Sequence, residues 1–176
     1  MKRFSKKLLM VYTGGMLSLL GFSAKAQMAE AQKQTINVSK TTTYNVSPSE
    51  VWEIVSKVNQ VESYANGYVS SSVTNGSEFP ITRTMKFKSG VERKDVVQQL
   101  NEPYKFYCFN ITSLPQGIEE ATLACTITLN ETDSNKSDVK WWAIVKGNAE
   151  SKKKLIAEIE NEFDNYAEGL KKLLNK

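Results

Sequence analysis

Between residues 68 and 129 the chain reads as strand after strand, with connections too short for anything but antiparallel neighbours. Runs of alternating polar and apolar residues at 68–74, 82–88, 91–100, 104–113 and 122–129 are cut by Asn75-Gly76, Ser89-Gly90, Asn101-Glu102-Pro103 and Pro115-Gln116-Gly117. A parallel crossover needs a dozen or more residues, and none of these breaks supplies them. A further strand over 137–145 carries Trp141 and Trp142. An initial strand over 35–46 alternates through Ile36, Val38, Thr42, Tyr44 and Val46.

Two helical patterns bracket this sheet. Ser47-Pro48-Ser49-Glu50 combines a capping serine, a proline suited to the first helical position and a glutamate able to bond back to the cap. The helix that follows places Val51, Ile54, Val55 and Val58 on one face with Trp52 alongside, and a second short helix is expected around 61–64. After Gly147-Asn148 a long helix runs to Leu174, with Leu155, Ile159, Phe163, Tyr166, Leu170 and Leu173 forming one apolar stripe. The order is strand, two short helices, six strands and one long helix. The economical packing is an α+β domain in which a curved antiparallel sheet of about seven strands carries the long helix across its concave face.

Charge and composition narrow the chemistry. The 23 Lys and Arg outnumber the 19 Asp and Glu, but residues 1–26 hold five bases (Lys2, Arg3, Lys6, Lys7, Lys25) and no acid. The remainder has 18 bases and 19 acids, a formal charge of −1, so no nucleic-acid partner is expected. There is no histidine, which excludes Ser-His-Asp and Cys-His nucleophile systems and His-ligated metals. Two cysteines cannot form a four-thiolate site, and neither a metal nor another cofactor is expected. Within residues 1–26, a cationic start, an apolar stretch from Leu8 to Phe22 and Ser23-Ala24-Lys25-Ala26 match a secretory signal peptide cleaved before Gln27. That apolar stretch, interrupted by Gly14, Gly15 and Gly21, is short for a bilayer. The expectation is an exported, periplasmic protein with no membrane span after cleavage. Residues 27–34 then form a flexible lead-in, and 35–176 a single domain.

In this order of elements, Val46-Ser47-Pro48-Ser49-Glu50-Val51-Trp52 resembles the strand-to-helix junction of the START-like, polyketide cyclase/dehydrase and lipid-transport superfamily (SRPBCC), which has the helix-grip fold. Arg83 followed by Ser89-Gly90-Val91-Glu92 is similar to that family's Arg, hairpin Gly and Glu. Tyr107-Cys108-Phe109, Asp138-Val139-Lys140-Trp141 and Tyr166-Ala167-Glu168-Gly169-Leu170 resemble its later strands and its helix ending. The chain departs from the family pattern at Pro80, where Gly is usual, at Tyr64, where Trp or Phe is usual, and in the short Gly90-to-Glu92 spacing. The resemblance implies a helix-grip domain with a cavity between sheet and helix, in a family of carriers, cyclases and dehydratases.

The candidate ligand-binding residues are Tyr64, Arg83, Met85, Phe87, Tyr107, Phe109, Trp141, Phe163 and Tyr166. The aromatic members fit either a pocket for an apolar ligand, with tyrosine hydroxyls orienting it, or a filled core. Arg83 with Glu92 and Asp95 fits a clamp for a ligand carboxylate, a shielded acid or base, or a cross-strand ion pair. The ion pair is preferred, because no second catalytic group converges there. Cys108 and Cys125 lie on adjacent strands, but alternation points Cys108 outward and Cys125 inward, against a disulfide. No catalytic residue is assigned. The leading expectation is a protein that sequesters or carries a small hydrophobic or amphipathic ligand or lipid. The alternative is a cyclase/dehydratase-like enzyme using Glu92, Asp95 or a pocket tyrosine for proton transfer.

Overall fold

A computed structural model describes residues 35–174; the expected signal peptide and lead-in lie outside the described residues. Strand β1 (Val38–Tyr44) leads into helix α1 (Pro48–Val55), then β2 (Val69–Asn75), β3 (Ile81–Phe87), β4 (Glu92–Asn101), β5 (Phe106–Ile111), β6 (Ile118–Leu129), β7 (Ser137–Gly147) and helix α2 (Ala149–Leu174). The fold is α+β, with seven strands in the order β1-β7-β6-β5-β4-β3-β2 and every neighbour pair antiparallel. Strands β2 to β7 form a meander. Strand β1 joins it at the far edge against β7, with Val38 opposite Ala143 and Tyr44 opposite Ser137.

Helix α1 starts where the capping signal stands. The Ser47 backbone N–H donates to Glu50 Oε2 at 2.9 Å, and the Glu50 N–H donates to Ser47 Oγ at 3.4 Å. The helix buries Val51, Trp52 and Val55. The expected second helix is a single 3-10 turn, Val61–Ser63. Only a few residues separate it from Asn66 and Gly67, which take φ of 51° and 76° and end any helical run. Its Val61 N–H donates to Ser72 Oγ at 2.9 Å, which ties the turn to β2.

Register on the sheet decides the cysteines. Tyr107 stands opposite Cys125, and Cys108 opposite Ala124. The two cysteines are one residue out of step, so their side chains leave the sheet on opposite faces. Both are free thiols: Cys125 is buried and Cys108 half-buried.

Helix α2 lies on the face that carries the inward residues of every strand. Its buried stripe is Leu155, Ile159, Phe163, Tyr166 and Leu170, with Glu162, Ala167 and Gly169 buried among them. The helix axis runs nearest β1 and β7. Gly169 makes a close approach possible, because a Cβ there would sit 1.9 Å from the Tyr64 carbonyl oxygen.

Candidate functional site

The space between sheet and helix holds three distinct arrangements. Under the C-terminal half of α2, rings fill it. Trp141 of β7 is fully buried and contacts Tyr64, Tyr107, Phe163 and Tyr166 at centroid separations of 6.3, 5.9, 5.6 and 5.0 Å. Phe109 stacks beside Tyr107 at 5.9 Å. The Tyr64 and Tyr107 hydroxyls meet at 3.4 Å. Burial raises the pKa of Tyr64, Tyr107 and Tyr166 above the ordinary phenol value, so all three are neutral and packed.

Beside this cluster runs a chain of buried ions. Alternation puts Arg83 of β3 and Asp95 of β4 on the inner face, directly opposite each other. Arg83 Nη2 donates to Asp95 Oδ2 at 2.8 Å, and both residues are at most 1 % exposed. Arg93, two residues before Asp95 on the same face, donates from Nε to Asp95 Oδ1 at 2.9 Å. The remainder of its guanidinium forks onto Glu162 of α2, Nη1 to Oε2 at 2.6 Å and Nη2 to Oε1 at 2.9 Å. The Tyr166 hydroxyl donates to Glu162 Oε1 at 2.5 Å. The Arg83 guanidinium also lies 4.4 Å from the centroid of the Phe109 ring, and that of Arg93 5.1 Å from Phe87. Burial acts to lower both arginine pKa values, but Asp95, joined at Arg93 by Glu162, holds them above the ordinary guanidinium value. Two cations and two carboxylates balance.

Past Arg93 the packing opens. A cleft of about 300 Å³ lies between the N-terminal half of α2 and strands β3 to β5, with a predominantly apolar wall. Leu155 and Ile159 of the helix face Phe87 and Ile111 of the sheet across it; Tyr68 and Val91 flank it, and Arg93 and Glu162 form its polar end. Its volume is at the lower end of the range for small-molecule sites. A more polar groove continues outward past Pro115, Leu155 and Glu158, which border both spaces.

The nine residues singled out from the sequence are all buried between sheet and helix. Tyr64, Tyr107, Phe109, Trp141, Phe163 and Tyr166 come together in the ring cluster. Arg83 belongs to the ion chain, and Met85 lies against it, its sulfur 3.7 Å from Arg93 Nη2. Phe87 borders the cleft. Glu92 is exposed, and Arg83 faces Asp95 rather than Glu92. The run of charges from Lys152 to Asp164 reads as a solvated mixed-charge face, yet Glu162 within it is buried, paired with Arg93; each of the two carries a signal in the sequence. Arg93 shares the inner-face alternation of Asp95 and Val97, and Glu162 falls inside the helical stripe between Ile159 and Tyr166. Among the described residues no His, Cys, Asp and Glu cluster is arranged to hold a metal, and no helix is long and apolar enough to cross a membrane.

A seven-stranded antiparallel sheet with one long helix on its inner face defines this domain, and solved structures share it. XoxI from Bacillus cereus superposes with a TM-score of 0.68 at 16 % identity, over 79 % of this chain and 95 % of that one. An uncharacterized protein from Bacillus thuringiensis gives a TM-score of 0.67 at 16 % identity, over 79 % and 98 %. A protein from Nitrosospira multiformis gives 0.64 at 12 % identity, over 79 % and 99 %. At these identities the likeness is one of fold. No family model and no curated protein matches the sequence.

Proposed function

We propose that this protein binds a small hydrophobic or amphipathic molecule in the cleft between β3–β5 and the N-terminal half of α2, as an exported carrier or sequestering domain of the helix-grip type. The carrying observation is the cleft itself: a predominantly apolar wall, with Arg93 and Glu162 paired at one end and Glu92 and Glu158 also bordering it, open beside a filled ring cluster. The resemblance of the Ser47–Trp52 junction and the Arg83, Tyr107 and Trp141 strands to the START-like superfamily supports the same reading, as does the overall order of elements.

Proton transfer has less support. An acid-base pair needs two groups with opposed pKa perturbations within reach of one ligand. Here each oxygen of Asp95 and Glu162 already accepts from a guanidinium, and Glu162 from the Tyr166 hydroxyl as well. Such a network leaves neither carboxylate with an oxygen free of a guanidinium, and its Arg93–Glu162 pair forms the polar end of the cleft.

Native mass spectrometry of the protein purified from its own cells tests the binding reading. A small-molecule adduct of discrete mass that leaves on mild activation is the expected result. A bare mass under conditions that preserve other non-covalent complexes would count against it. N-terminal sequencing of the same material tests export: the expected first residue is Gln27, and an intact Met1 on the isolated protein would refute cleavage.

A further inference from the structure

The charges around the cleft select among amphipathic ligands. Among the described residues one cation, Arg93, borders it, and all three of its guanidinium nitrogens donate to Asp95 or Glu162. The Arg83–Asp95–Arg93–Glu162 chain is neutral overall and has no free cation to offer a carboxylate or phosphate. Glu158, one turn before Glu162, borders the cleft and makes no ion pair among the described residues. Lys154, one turn earlier again, borders the outer groove and is engaged by Glu150 at 2.8 Å. Burial chiefly raises the Tyr68 pKa; Glu162 and Glu158 add to the rise, and a hydrogen bond with Asn161 and the Arg93 charge act against it. The mouth of the cleft is therefore electronegative while its wall is apolar.

We propose that the ligand is a small amphipathic cation, an amine or ammonium on an apolar body, with the body against Leu155, Ile159 and Phe87 and the charge beside Glu158. The proposal rests on the binding reading above. Carboxylate or phosphate amphiphiles of the same size are disfavoured, because they would bring a further anion beside the unpaired Glu158 to a site whose one bordering cation is already taken.

Calorimetric titration with three ligands of one chain length, octylammonium, octanol and octanoate, tests this. Octylammonium is expected to bind about tenfold or more tightly than octanoate, with octanol between them, and the ratio should shrink as salt is raised. Glu158→Gln, at an exposed position, should collapse the ratio by weakening octylammonium binding toward that of octanol. Octanoate binding as tightly as octylammonium, or a ratio indifferent to Glu158→Gln, would overturn the charge preference while the binding reading stood. Failure of all three ligands to bind would remove the binding reading and the preference with it.

Discussion

The two halves of helix α2 meet the same sheet and make opposite interiors. The C-terminal half brings Phe163 and Tyr166 down on Trp141 and buries Leu170, with Gly169 letting the backbone close against Tyr64. The N-terminal half brings Leu155, Glu158, Ile159 and Glu162 over β3 to β5, and the cleft is there. Flat rings packed against one another at 5.0 to 6.4 Å fill volume in a way that the aliphatic and acidic side chains of the other half do not. The ion chain lies at the boundary. It takes the place that hydrophobic packing would occupy and stops the ring cluster from extending into the cleft. A helix can thus seal one half of a domain and leave the other open by a change of side-chain type along a single stripe.

The comparison is most easily broken at the boundary. Asp95→Ala leaves both Arg83 and Arg93 short of a buried counter-charge and should cost about 3–5 kcal/mol in urea unfolding, at the upper end of that range. A cost near zero would mean that the arginines find water and that the interior is more open than described. Next in size is a contrast between the halves. Trp141→Ala removes the ring at the centre of the sealed half and should cost about 3–5 kcal/mol. Leu155→Ala enlarges a space already open to solvent and should fall near 2 kcal/mol, the foot of the range for Leu truncations. Equal costs would erase the distinction.

A smaller effect sharpens the sealed half by pH. Tyr64, Tyr107 and Tyr166 have phenol pKa values raised by burial. Their contribution to stability is complete below the unfolded phenol value near 10 and is lost as pH rises above it, because the unfolded chain releases those protons first. Each phenol that stays protonated in the fold while ionised in the unfolded chain should subtract about 1 kcal/mol per pH unit. Alkaline denaturation monitored by tyrosinate absorbance should therefore be cooperative, with ionisation and unfolding coincident. Gradual ionisation of these tyrosines in the folded protein would contradict the sealed interior.

The elements of this fold can be read in the sequence because each is announced locally. Ser47-Pro48-Ser49-Glu50 starts α1 where the capping box forms, and the stripe from Leu155 to Leu170 is the buried face of α2. The alternation around Tyr107 and Phe109 also placed Cys108 on the opposite face from Cys125. The ion chain was only half legible. Arg83 and Asp95 stood out as charges on neighbouring strands, but their pairing depends on hairpin register, and the Ser89-Gly90 turn leaves that register open. Glu162 needed the helix face and the sheet face together. The cleft was not legible at all: it is the volume left over when side chains from β3, β4, β5 and α2 fail to meet, and no one segment records it.

The most direct test of the open half is equilibrium titration of the native protein with a neutral apolar fluorophore, N-phenyl-1-naphthylamine, in the wild type and two variants. Val91→Trp places a ring at the exposed flank of the cleft, and Val73→Trp places one at an exposed site away from it. One saturable site is predicted, lost in Val91→Trp and kept in Val73→Trp, with both variants folded. Absence of saturable binding to the wild type, or binding that survives Val91→Trp unchanged, would contradict a ligand cleft beneath the N-terminal half of α2.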